Sequence, residues 1–160
     1  MENIKKIIDG KKYSEKFLNH VYPLITNFYK QFSRKPCLAV ILVGDNTASE
    51  IYVKNKIHTA EKNGIKSVKV ILSNKVSEAN LLNEILKLNE DQNVDGILVQ
   101  LPLPVHISEK NIIHSINPMK DVDGFHPINF GKLFMGDPNF VPCTPLGCYY
   151  MLKNELKELS

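Results

Sequence analysis

Short apolar, β-branched runs alternate along this chain with longer stretches whose apolar positions recur at helical spacing. That alternation folds as parallel strands joined by crossover helices. Cys37–Val43 is apolar without a break and lies between Pro36 and Gly44, the pattern of a strand covered on both faces. Residues 68–72 and 96–100 read as two further strands. Residues 14–32, 47–63 and 77–88 have the lengths and polar first residues of helices, opening on Ser14, Thr47 and Ser77, and Thr47-Ala-Ser-Glu50 matches a capping box. The fold class that follows is α/β, a three-layer sandwich with a mostly parallel sheet and helices on both faces.

Beyond Gln100 the texture changes to Pro- and Gly-rich segments, Leu101-Pro-Leu-Pro104 and Asp121-Val-Asp-Gly-Phe-His-Pro127, which read as ordered loops interrupted by short helices. A last helix is expected from Thr144, with its hydroxyl as N-cap and Pro145 at the first helical position, running through Tyr149, Tyr150, Leu152 and Leu156. This divides the chain into a domain over 1–143 and the start of a further helix over 144–160.

Composition narrows the function classes. The 160 residues are 43% hydrophobic and 23% charged, as in ordinary globular proteins. The net charge of +3 is spread along the chain, so neither nucleic acid nor a membrane surface is an expected partner. The longest apolar run is far shorter than the roughly 20 residues that span a bilayer, and the opening Met1-Glu2-Asn3-Ile4-Lys5-Lys6 has no apolar signal core, so a cytosolic, cytoplasmic protein is expected. Cys37, Cys143 and Cys148 form no metal spacing and are expected as free, buried thiols; the five histidines are dispersed.

The candidate chemistry gathers at the carboxyl ends of the strands, where open α/β sheets place ligands. On the helix after Gly44, Tyr52 and Lys56 share a face with Ser49 and Thr59, while Val53, Ile57 and Ala60 form a stripe that can pack on the sheet. From spacing alone, Tyr52 as a half-buried aromatic and Lys56 as a solvated charge is the plainer reading. A Tyr-x-x-x-Lys pair also marks short-chain dehydrogenases, but those need a glycine-rich dinucleotide loop, and none of the eight glycines here forms Gly-x-Gly-x-x-Gly or a phosphate loop. Gln100 ends a strand at the same edge and can hold a lysine in place. Asp121 and Asp123 precede Gly124 in a spacing that lacks the other ligands of a calcium loop. They can serve as turn residues, or one of them can grip a ring carrying adjacent N–H donors. His126 is a secondary candidate.

Four blocks, 43–56, 95–104 (Asp-Gly-Ile-Leu-Val-Gln-Leu-Pro-Leu-Pro), 120–127 (Lys-Asp-Val-Asp-Gly-Phe-His-Pro) and 142–145 (Pro-Cys-Thr-Pro), together resemble the FolD-type family of bifunctional methylenetetrahydrofolate dehydrogenases/methenyltetrahydrofolate cyclohydrolases. The resemblance covers essentially the whole chain. It implies a one-carbon enzyme that oxidises 5,10-methylenetetrahydrofolate with NADP and hydrolyses the methenyl product to 10-formyltetrahydrofolate. By the same similarity Lys56 is the proton-transfer lysine, Gln100 orients it, Tyr52 stacks on the folate's aromatic portion and Asp123 accepts hydrogen bonds from the pterin. Ser49, Leu101 and Pro102 then line the pocket.

A lysine keeps its proton at neutral pH unless the charged form is made costly; a bound methenyl cation and partial desolvation both act that way. In the family the helix after Pro-Cys-Thr-Pro leads into a Rossmann-type lobe that carries the NADP site, and this lobe is expected to be absent from residues 1–160. A homodimer is the family's expected assembly. The other reading is a folate-binding remnant without turnover. An apolar patch along Leu152 and Leu156 is expected to stand exposed.

Overall fold

β1 (Cys37–Val43) is the middle strand because it is the run that can be apolar on both of its faces at once. It pairs in parallel with β2 (Lys66–Leu72), Cys37 opposite Lys66 through Val43 opposite Leu72, and with β3 (Gly96–Val99), Leu38 opposite Gly96 through Ile41 opposite Val99. The sheet order is β2-β1-β3. The computed structural model describes residues 7–156, which also form α1 (Gly10–Phe32), α2 (Thr47–Lys62), α3 (Glu78–Glu90), α4 (Glu109–Ser115), α5 (Pro127–Phe134) and α6 (Cys143–Glu155).

Strand alternation sends the apolar side chains to two separate faces. Ala39, Ile41, Val43, Ile97 and Val99 meet Leu81, Ile85 and Leu88 of α3 and Ile112 of α4. Val40, Leu42 and Leu98 meet Val53 and Ile57 of α2 on the other side. Each fully buried Val, Leu or Ile contributes about 1.5–3 kcal/mol, so the two layers rather than helix propensity hold the elements in place. The expected three-layer α/β sandwich is the observed one.

α6 returns to α1. The Tyr150 ring packs edge-on against Tyr13 and Phe17 at centroid distances of 6.1 and 5.6 Å, and the Tyr13 hydroxyl donates to Glu155 at 2.6 Å. Tyr149, Leu152 and Leu156 remain exposed, as expected for the apolar patch.

Several boundaries differ from the sequence reading. α1 opens at Gly10, not Ser14, because the Asp9 carboxylate caps it by accepting from the N–H groups of Lys11 and Lys12. The cap of α2 is Asn46, whose Oδ1 accepts from the Ser49 N–H at 3.0 Å, so Thr47 is the first helical residue and closes no capping box. β2 starts two residues before 68, and β3 ends at Val99 although the Gln100 N–H still donates to the Ile41 carbonyl at 2.9 Å. α6 opens at Cys143 behind Pro142, with no side-chain cap, so Thr144 is not its N-cap. First-turn N–H groups lack partners inside the helix, so Pro145 fits anywhere in that turn and does not fix where the helix begins. Ser77 does cap α3, accepting from the Asn80 N–H.

All three cysteines are free, but only Cys37 is buried; Cys143 and Cys148 lie exposed because α6 has no buried residue. Among the described residues no helix is long and apolar enough to cross a membrane, and no cluster of His, Cys, Asp or Glu could hold a metal ion.

Candidate functional site

The cleft forms where α2 leaves the sheet and the loop after β3 folds back beside it. A parallel bridge joins Ile97 to Asp121, and the Ile97 N–H donates to the Lys120 carbonyl at 2.7 Å, which draws residues 120–124 against the edge of β3. A cleft of about 810 Å³ opens between this loop, α2 and the start of α6. Tyr52, Lys56, Leu98, Val122, Asp123 and Cys143 are among the residues that line it. That volume is in the usual range for a small-molecule pocket, and the walls are mainly apolar with a few convergent polar groups.

α2 presents two faces, as its spacing predicts. Val53 and Ile57 pack on the sheet, while Tyr52, Lys56 and Thr59 face the cleft; Ala60, although buried, lines the cleft as well. Ser49 departs from this pattern. It is buried, whereas Tyr52 is exposed and Lys56 half-buried.

Lys56 is half-buried, and its Nζ donates to Gln100 Oε1 at 3.1 Å. The amide is itself oriented: Gln100 Nε2 donates to the Leu101 carbonyl at 2.7 Å, which leaves the oxygen to face the lysine. Leu101 packs its side chain with the cluster on the far face of the sheet, and Pro102, joined to it by a cis peptide, is exposed. Neither they nor Ser49 line the main cleft. The loop they open is fixed at its end, where the Leu103 N–H donates to Glu109 Oε1 at 3.0 Å.

The two aspartates divide their work. Asp121 is buried and accepts from the His126 N–H at 2.8 Å and from Asn129 Nδ2 at 3.0 Å, so it holds the loop to α5. Asp123 is turned to the cleft. Burial pushes its carboxyl above the usual carboxylate range, the Lys56 charge opposes that rise, and Asp121 adds to it. Cys143 responds to the same groups: although the residue as a whole is exposed, the cleft it lines partly desolvates its thiol and raises it, Asp123 raises it further, and Lys56 acts in the opposite direction. Lys56, Asp123 and Cys143 thus line one cleft and act on one another electrostatically.

The other residues of the loop motif are structural. Lys120 Nζ donates to the carbonyls of Leu88, Asn89 and Asp91, closing the carboxyl end of α3. His126 caps α5, its Nδ1 accepting from the Ile128 N–H at 3.2 Å, and is buried, so it does not reach the cleft. Leu98, Val122, Cys143 and Thr144 were not singled out from the sequence as cleft residues. Period-two alternation could have found Leu98, since positions 96, 98 and 100 share a face; nothing in the spacing points to Cys143.

Comparison with known proteins gives this geometry its relatives. Residues 8–123 match the family described as tetrahydrofolate dehydrogenase/cyclohydrolase, catalytic domain. A protein of Listeria innocua named bifunctional protein FolD is 50% identical over 149 residues, covering 93% of this chain and 52% of that protein. The crystal structure of the bifunctional enzyme FolD, a methylenetetrahydrofolate dehydrogenase/cyclohydrolase from Campylobacter jejuni, superposes with a TM-score of 0.88 at 48% identity, covering 94% of this chain and 53% of that one. The Trypanosoma brucei enzyme of the same name, crystallised with NADP cofactor and inhibitor, gives 0.89 at 30% identity, with 94% and 52% covered. The chain thus spans about half the length of the relatives it matches. It belongs to the tetrahydrofolate dehydrogenase/cyclohydrolase family, matching that family's catalytic domain.

Proposed function

We propose that the cleft binds a tetrahydrofolate and that Lys56 carries the protons in the hydrolysis of 5,10-methenyltetrahydrofolate to 10-formyltetrahydrofolate. The observation that carries this reading is the half-buried Lys56 amine, 3.1 Å from an oriented Gln100 oxygen and facing the cleft that Asp123 also lines. Tyr52 offers a ring face for the folate's aromatic portion, and Asp123 offers a carboxylate to the N–H donors of the pterin. Both roles follow from family resemblance together with placement.

The hydrolysis needs a base and then an acid at one place. Water oxygen bonds to the methenyl carbon and gives a proton to the neutral Lys56 amine. The lysine then returns a proton to the ring nitrogen whose bond to that carbon breaks. Of the two water protons, one ends on nitrogen and the other leaves to solvent. The cationic substrate favours the neutral amine before attack, and Gln100 holds Nζ in reach throughout.

The family relationship also carries an NADP-dependent dehydrogenase step, and the Trypanosoma brucei relative was crystallised with NADP. The described residues do not fit that cofactor. Neither turn that leads from β1 and β2 into α2 and α3 is the glycine-rich loop that lets a pyrophosphate approach a helix N-terminus, and the Asn46 and Ser77 side chains already take one first-turn N–H each. We therefore assign NADP to a second, Rossmann-type lobe outside residues 7–156, with 1–143 as the folate domain and 144–160 as the start of the connection. A homodimer and a cytoplasmic setting belong to the same proposal.

Since the chain spans half of its relatives, a pocket that binds without turnover is the second reading. Tetrahydrofolate titration followed by loss of the methenyl absorbance separates the two. Binding with hydrolysis supports the enzyme, and binding alone supports the second reading. If hydrolysis is seen, a Lys56→Met variant with undiminished rate rejects the role given to the lysine.

A further inference from the structure

The geometry points to Gly96 as a positioning residue for Asp123: the absent side chain at Gly96 is the seat that receives Val122, and the place of Asp123 in the cleft depends on it. The functional importance of that place rests on the folate reading above; the positional claim does not.

Gly96 pairs with Leu38 of β1 and lines the cleft. A Cβ built on it would lie 2.4 Å from Val122 Cγ1 and 3.6 Å from Leu38 Cδ1. The first distance is far inside contact, so even alanine forces Val122 to move. Nothing in the backbone conformation explains the glycine, which has no positive φ, so space for a neighbour is the reason that remains.

Val122 has little freedom to absorb the change. Its side chain packs with the apolar cluster of Val40, Leu42, Val53 and Leu98, and its carbonyl lies 3.7 Å from the Cys143 thiol. On the far side of the loop Gly124, at φ +69°, is pressed against the chain before α6, where an added Cβ would stand 3.3 Å from the Pro142 nitrogen. The Gly124 N–H is bonded back to the Asp121 carbonyl at 3.2 Å. The loop is thus wedged between β3 and residues 140–142. Moving Val122 off its seat carries the next residue, Asp123, with it.

The test compares the chain with Gly96→Ala, Val122→Ala and the double variant, reading the Asp123 carboxyl by carbon NMR titration and tetrahydrofolate affinity by calorimetry. Gly96→Ala is expected to move the Asp123 titration and to weaken tetrahydrofolate roughly tenfold or more, as the loss of one hydrogen bond to a charged group does. Adding Val122→Ala makes room for the methyl and is expected to restore both toward the parent chain, a rescue that general destabilisation does not give. If Gly96→Ala does not fold, Val122→Ala alone, which empties the seat, is expected to move the titration. An unmoved titration in every folded variant overturns the inference. A moved and rescued titration in a chain that binds no tetrahydrofolate upholds it while rejecting the folate reading.

Discussion

Asp121 and Asp123 stand two residues apart on one loop, and only the first is spent on structure: it accepts from the His126 N–H and from Asn129, while the second is left to the cleft under a burial that opposes its charge. The turn that follows the bridge to Ile97 produces the split: the Gly124 N–H bonds back to the Asp121 carbonyl, and that turn takes Asp123 off the face that a regular strand would share with Asp121. We predict opposite responses to mutation. Asp121→Ala leaves buried donors unpaired and is expected to cost about 2–4 kcal/mol in urea unfolding.

Asp123→Asn is expected to stabilise the folded chain at neutral pH. Its carboxyl is raised on folding, so the folded state binds this proton more tightly, and ionisation above the folded value costs stability. The amide removes that cost. The gain, read as the difference in unfolding midpoint, is present at neutral pH and disappears as pH falls below the ordinary aspartate value, where both states are protonated. A loss of stability at neutral pH would contradict the strained-carboxylate account.

Asp95 runs the other way. Burial raises its carboxyl, but the Arg34 fork at 2.7 and 2.8 Å and the Cys37 N–H at 2.8 Å together hold it below the usual range. A depressed carboxyl contributes stability that is present above its unfolded value and is lost as pH falls through the folded one. The pair is about one-third exposed, so solvent screening limits its worth. Asp95→Asn is expected to cost about 1–2 kcal/mol at neutral pH and nothing measurable in acid, by denaturant titration at both.

Gln100→Leu removes the acceptor that holds Lys56 and leaves the strand intact. Hydrogen bonds to a charged group are worth about 1.5–3 kcal/mol, so hydrolysis of the methenyl substrate at saturation is expected to fall about tenfold to a hundredfold. The melting temperature should hardly change, since Gln100 lies beyond the end of β3. An unchanged rate would remove the amide from the mechanism.

Where one physical preference dominated, sequence and structure agree. The unbroken apolar run of β1 demands cover on both faces, and Val53 and Ile57 fix which side of α2 meets the sheet, hence where Tyr52 and Lys56 point, whereas Ala60 of the expected stripe lines the cleft. Where two residues could do one job, the expected cap lies one position late at α2 and two positions late at α6: Asn46 and Thr47 are both good caps, and Pro145 suits any site in a first turn. The burial of Ser49, the approach of Cys143 to Val122 and the seat at Gly96 are tertiary facts. The last two depend on how far the loop after β3 folds back, which no local pattern encodes.

The most direct test of the cleft as a folate site is an amide and side-chain NMR titration of the labelled chain with tetrahydrofolate. The account expects saturable shifts concentrated at Tyr52, Lys56, Gln100, Asp123 and Cys143, with the far-face cluster around Leu81 and Ile85 unmoved. Shifts centred elsewhere, or none at saturating ligand, would contradict it.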